Sequence, residues 1–110
     1  MAPNFVVSCS QYGNIVMRLA GRNILADFVG RHADIRTQIE AWVSDVENAA
    51  WRSPAELMQR YPRASYVGEA RWIFNIKGND YRLLARVSFR NQAVVVIDIG
   101  THAEYDVWVI

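Results

Sequence analysis

From Arg71 onward the chain alternates with a period of two. Trp72, Phe74 and Ile76 stand against Arg71, Ile73 and Asn75; after the polar run Lys77-Gly78-Asn79-Asp80, Tyr81, Leu83, Ala85, Val87 and Phe89 stand against Arg82, Leu84, Arg86 and Ser88. A period of two places each set on one side of a pleated strand, and a polar, glycine-bearing turn between two such runs makes a hairpin. Pairing Ile76 with Tyr81 across the turn sets Phe74 opposite Leu83 on a core face. On the other face it sets Asn75 opposite Arg82 and Arg71 opposite Arg86. The register alone predicts one apolar face and one polar, arginine-bearing face.

The remaining elements follow from similar signals. Ile15-Val16-Met17-Arg18-Leu19 predicts an opening strand, and Ile24, Leu25, Phe28 and Val29 share one helical face, with Gly30 expected to end that helix. Ile35, Ile39, Trp42, Val43 and Val46 recur at the helical period, with Asp34 placed to cap the start. Ser53-Pro54-Ala55-Glu56 joins a capping serine, proline at the first helical position and a glutamate three residues after the cap; Pro62 bounds the resulting short helix. Ala93-Val94-Val95-Val96-Ile97, then Asp98-Ile99-Gly100, is apolar on both faces and reads as an interior strand. Helices first and an antiparallel meander last make an α+β domain: a small antiparallel sheet with N-terminal helices packed on one face.

With 110 residues and 12.6 kDa the chain suits one domain, and 52% hydrophobic residues argue for a packed core rather than disorder. Residues 1–16, with no clear period, read as an N-terminal extension. No run reaches the eighteen or more apolar residues that cross a bilayer, and no targeting segment is evident, so a soluble cytoplasmic protein with no membrane partner is expected. Cys9 stands alone, the two histidines are far apart, and there is no Gly-rich phosphate loop, so neither a metal nor a cofactor is expected. A formal charge of +1 is too small for a general field attracting polyanions. Nucleic-acid binding, if present, then depends on a local patch. Eleven of the twelve basic residues are arginine, the exception being Lys77, which favours bidentate contacts to phosphate or carboxylate.

In Gly100-Thr101-His102-Ala103-Glu104-Tyr105-Asp106, Thr101 and Glu104 form a second capping-box pattern. His102 would stand in the first turn of a short helix, near exposed N–H groups, with Tyr105 and Asp106 on the same face. Histidine is the side chain whose ordinary pKa lies nearest neutrality, although a helix-start residue without a task is the commoner case. Likewise Tyr105 is more often core than stacking platform, Asp106 a solvated carboxylate, and Lys77 and Asn79 ordinary turn residues. Arg82 carries a fork suited to phosphate oxygens, and Asn75 beside it is a residue type disfavoured in strands. The tryptophans Trp42, Trp51, Trp72 and Trp108 read as core or partner contacts.

The blocks Trp72-Ile73-Phe74-Asn75-Ile76-Lys77-Gly78-Asn79-Asp80-Tyr81-Arg82-Leu83 and Gly100-Thr101-His102-Ala103-Glu104-Tyr105-Asp106 resemble the HigB family of toxins, within the RelE-like superfamily of mRNA interferases. Trp42, Trp51 with Pro54, and Tyr61-Pro62 with Ala64-Ser65 are spaced as in that family, so the similarity runs from about Met17 to Asp106 and identifies residues 17–110 as the toxin domain. The resemblance implies a RelE-like fold and a metal-independent endoribonuclease of a type II toxin–antitoxin system that cleaves mRNA in the ribosomal A site. It implies a HigA-type helix-turn-helix antitoxin as partner, with operator DNA reached only through that antitoxin. Carried across, it makes His102, Arg82, Lys77 and Tyr105 the catalytic candidates and Asn75, Asn79, Arg71, Arg86 and Asp106 the RNA-binding ones. A catalytically silent relative that docks on RNA, ribosome or antitoxin is the alternative, but its signature, loss of the hairpin basics or the closing histidine, is absent.

Overall fold

A computed structural model describes residues 17–78 and 80–105, residue 105 by its backbone alone. The extension, Asn79, the side chain of Tyr105, Asp106 and Trp108 lie outside the described residues. Strand β1 (Arg18–Ala20) leads into helix α1 (Arg22–Arg31), a 3-10 turn (Ala33–Ile35), α2 (Arg36–Asn48) and α3 (Pro54–Arg60). Then come β2 (Ser65–Tyr66), β3 (Arg71–Ile76), β4 (Tyr81–Ser88), β5 (Ala93–Thr101) and the single turn α4 (His102–Tyr105). Among these described elements no helix is long and apolar enough to cross a membrane.

The strands form one sheet in the order β1-β5-β4-β3-β2. β1 lies parallel to β5 and every other pair is antiparallel, so the α+β expectation holds with a mixed sheet in place of a purely antiparallel one. The cause is topological: the chain leaves β1 for the helical layer and returns through a meander whose last strand points the way the first did. The β3–β4 register is the expected one: Ile76 pairs with Tyr81, Phe74 with Leu83, Asn75 with Arg82 and Arg71 with Arg86.

β5 is interior in the hydrogen-bonded order, yet its two faces differ. Val94, Val96 and Ile99 are buried, whereas Val95 and Ile97 are 43% and 38% exposed. A shift of register puts Ala85 opposite Val96 and Leu84 opposite Asp98, leaving Ile97 as an extra residue. That one-residue bulge lets the even-numbered Val94 and Val96 and the odd-numbered Ile99 face the same core. The outer face is also less polar than expected, because Ile73 and Leu84, paired between the two arginine rows, are buried.

The helices cover the other face. Phe28, Ile35, Val46 and Leu57 pack with Phe74, Leu83, Val87 and Val94, all nearly inaccessible. Trp42 and Tyr61 meet the Phe74 ring edge-on, with centroids 5.4 and 5.3 Å away. Trp42, Trp51 and Trp72 are buried, as core residues should be.

Two helix boundaries depart from the sequence expectation. Gly30 remains helical and α1 runs on to Arg31, because the terminating residue is His32, whose N–H reaches Phe28 O (2.9 Å) and whose ring stacks on Phe28 at 4.2 Å. Asp34 does not cap α2; the helix starts after the 3-10 turn without a side-chain cap, and the Asp34 carboxylate is engaged elsewhere. The Ser53 cap forms as expected: the Glu56 N–H donates to Ser53 Oγ (3.3 Å), and Glu56 Oε1 accepts from the Arg52 N–H (3.0 Å). Ser53→Ala should cost about 1 kcal/mol in a urea unfolding curve, while Ser53→Asp should be nearly neutral.

Candidate functional site

The turn end of the β3–β4 hairpin and the closing segment meet. Tyr81 pairs with Thr101 and Arg82 with Gly100 across the β4–β5 ladder, and the His102 N–H donates to the Asp80 carbonyl at 3.0 Å. The second capping box forms as read from the sequence: Glu104 N–H donates to Thr101 Oγ1 (3.2 Å) and Thr101 N–H to Glu104 Oε1 (2.8 Å). These bonds fix the backbone of His102, whose side chain is exposed, against the hairpin turn.

On the outer face Asn75, Arg82 and Gly100 form one row across three strands. Gly100 adds no side chain to that row. Its guanidinium is half-buried and reaches back to the Tyr81 carbonyl at 3.4 Å. Arg71 and Arg86 share the face but stand four residues along their strands from Asn75 and Arg82, about 13 Å at the rise of a strand. There they clamp a loop: Arg71 Nε–H donates to Gly68 O (3.1 Å) and Arg86 Nε–H to Glu69 O (3.3 Å). The fold thus brings Asn75, Arg82 and His102 to one end of the sheet and leaves Arg71 and Arg86 at the other.

Lys77 occupies a third position. Its ammonium donates to Asp34 Oδ2 (3.0 Å), and the Tyr81 hydroxyl donates to the same carboxylate (3.0 Å). Tyr81 belongs to the core face and touches Phe28 and His32 edge-on, so this cluster lies at the helix side of the turn, across the sheet from Arg82. The side-chain hydrogen bond from Lys77 holds the Asp34 carboxyl below the ordinary carboxylate value of 3.8. In return Asp34 raises Lys77 above 10.5, and burial followed by Asp34 raises the Tyr81 phenol above 10.0. Nothing in the sequence points to Asp34 as the partner of Lys77, from which it lies 43 positions away.

A depressed carboxyl stabilises the fold above its ordinary value and loses that contribution as pH falls through the lowered one. A raised ammonium or phenol contributes below its ordinary value and loses it as pH rises. The melting temperature should accordingly fall below about pH 4 and above about pH 10, and Asp34→Asn should flatten both limbs by lowering the plateau between them, where the cluster contributes in full. A melting profile across that range checks it.

Among the described residues, no group of three or more His, Cys, Asp or Glu side chains is placed to hold a metal ion. The model of the HigB toxin family, described as the RelE-like toxic component of a toxin–antitoxin system, matches residues 35–108, more than half of the chain and all of β3, β4, β5 and α4. The chain belongs to the HigB toxin family. Relatives include the mRNA interferase toxin HigB of Escherichia coli (strain K12) and the mRNA interferase HigB of Shigella flexneri. Each is 26% identical over 93 residues, covering 82% of this chain and 88% of the relative. The HigB match encloses both sequence blocks that meet at the hairpin turn, whereas β1 and α1 precede it.

Proposed function

We propose that this HigB-family toxin is a ribosome-dependent mRNA interferase of the cytoplasm, an endoribonuclease that cuts translated messages in the ribosomal A site without a metal. A HigA-type helix-turn-helix antitoxin holds it inactive and supplies the complex's only route to operator DNA. The observation that carries this reading is the family match over 35–108, which spans the hairpin and closing motif joined by the His102–Asp80 hydrogen bond. The names of the relatives, both mRNA interferases, support the substrate class.

The chemistry follows from RNA itself. The 2′-hydroxyl attacks the adjacent phosphorus, its proton passes to a base, the P–O5′ bond breaks and the leaving oxygen takes up a proton; the products are a cyclic phosphate and a 5′-hydroxyl. His102 serves as general base or acid, Arg82 binds the extra negative charge of the phosphorane, and Asn75 positions the backbone or ribose. Lys77 assists the phosphorane by exchanging Asp34 for phosphate oxygen, and Tyr105 stacks on a base or bonds a phosphate. Asn79 and Asp106 contact RNA beside it, while Arg71 and Arg86 serve nucleotides further along the strand. With a net charge of +1, affinity for free RNA is poor, and the ribosome aligns the scissile nucleotide.

Induced expression should arrest growth, and 5′-end mapping should show new ends inside translated codons and none in untranslated RNA. Growth arrest without new ends would favour a silent docking module.

A further inference from the structure

We infer that the cleft between the end of β3 and the loop after α3 is a second phosphate subsite, holding a backbone phosphodiester of the RNA next to the one that is cut. This inference rests on the RNA-cleaving reading above, and it joins Asn75 of the hairpin to Arg60, Tyr61 and Arg63, which lie outside the hairpin and closing motifs. β2 pairs with β3 only as far as Ile73, so beyond it the free side of β3 faces the loop from Tyr61 to Ala64. A cleft of about 260 Å³ opens there, lined by Arg60, Tyr61, Arg63, Asn75 and Gly78 among others.

Its polar groups divide into held and unheld. Arg60 pairs with Asp45, and its guanidinium lies 5.1 Å from the Tyr61 ring centroid; the Tyr61 hydroxyl donates to the same Asp45 carboxylate at 2.8 Å. Burial, and then Asp45, push the Tyr61 phenol far above its ordinary value, so it remains a donor and keeps the carboxylate in place. Arg60 is therefore oriented and its charge offset. Arg63 is exposed and, among the described residues, makes no hydrogen bond or ion pair, so it supplies the unbalanced positive charge of the cleft. Asn75 is half-buried, and its amide likewise has no partner among the described residues. An unpaired guanidinium and an unpaired amide lining one small cleft match the acceptor oxygens of a phosphodiester. Asn75 also stands directly opposite Arg82, so it joins this cleft to the proposed cutting site. A strand whose scissile phosphate lies on Arg82 would pass its neighbouring phosphate over Asn75 to Arg63.

The test uses the full chain labelled with ¹⁵N and a short 2′-O-methyl RNA oligonucleotide, which binds as RNA yet lacks the attacking hydroxyl. The Asn75 side-chain amide and the Arg63 Nε–H signals should both shift on titration. The slope of log affinity against log salt should become shallower by about 0.7 unit in Arg63→Gln, the share of one phosphate contact on a single strand. In the ribosomal cleavage assay the same variant should raise KM several-fold and leave kcat unchanged. Unmoved signals, or a salt slope equal to that of the parent, would overturn the subsite. If the signals move but the parent cuts no RNA, the subsite stands and the nuclease reading falls; if the parent cuts while the signals stay still, the reverse holds. Arg63 is a surface residue, so loss of fold does not confuse the result.

Discussion

His102→Gln and Arg82→Ala are each expected to slow mRNA cleavage by two or more orders of magnitude under single-turnover conditions on programmed ribosomes. A positioned general acid or base contributes roughly 10²–10⁴-fold, and a group that meets charge developing in the transition state contributes on the order of 10²–10³-fold. Glutamine keeps much of the bulk and polarity of histidine but cannot take up or release the proton, so His102→Gln should bind the ribosome as the parent does. Arg82→Ala should also weaken capture of the phosphate. Because the two groups act on one transition state, the double variant should lose much less than the product of the single losses. Neither side chain supports the core: His102 is exposed, and Arg82 lies on the outer face opposite Gly100. Both variants should keep the urea midpoint of the parent. Folded variants with undiminished cleavage would refute the assignment of these two residues.

Gly21→Ala is expected to destabilise the fold by about 3 kcal/mol. Gly21 joins β1 to α1 with φ of 89°, a left-handed conformation that a side chain resists by roughly 1–2 kcal/mol. A Cβ there would stand 2.7 Å from Val96 O and 2.9 Å from Val96 Cβ, atoms of the sheet's interior strand, and overpacking of this kind costs roughly 1–3 kcal/mol. Relief would require β1 to move, although it is tied by the β5 ladder, by Met17 N–H to Ala49 O (2.9 Å) and by Arg18 N–H to Gln92 O (2.8 Å). Gly30→Ala is the matching control. Gly30 is helical and exposed, and an added Cβ would meet no atom within 4 Å, so alanine should stabilise by about 0.8 kcal/mol. Urea midpoints of opposite sign for the two variants are the expected result.

The sequence was informative where a few neighbouring residues settle the geometry. A four-residue turn between two alternating runs leaves one register that keeps Phe74 and Leu83 together, and both capping boxes are complete within four residues. Contacts between distant segments were not legible. β1 is three residues long and its partner begins 75 positions later, so no local pattern announces a parallel pairing. The bulge at Ile97 is a tertiary compromise between the two phases of β5, which an apolar run of valines and isoleucines cannot display. Asp34 looked like a helix cap because it precedes an amphipathic run, but Lys77 and Tyr81 compete for its carboxylate and win.

The candidate site divides in the same way. The row of Asn75 and Arg82 follows from register, and the approach of His102 to the turn follows from a strand that ends opposite Tyr81. The turn of Lys77 toward the helical layer, and the assembly of Arg60, Arg63 and Asn75 around one cleft, depend on where α3 and its following loop pack.

A short synthetic mRNA, positioned on the ribosome and carrying a single deoxyribose at the nucleotide whose 3′ phosphate is cut, tests the central claim most directly. If Arg82 and His102 assist attack by the 2′-hydroxyl, that bond should survive, while the all-ribose message is severed there into a fragment with a 5′-hydroxyl. Severing of the deoxy-substituted bond at the parent rate, or a 5′-phosphate on the fragment, would contradict the account.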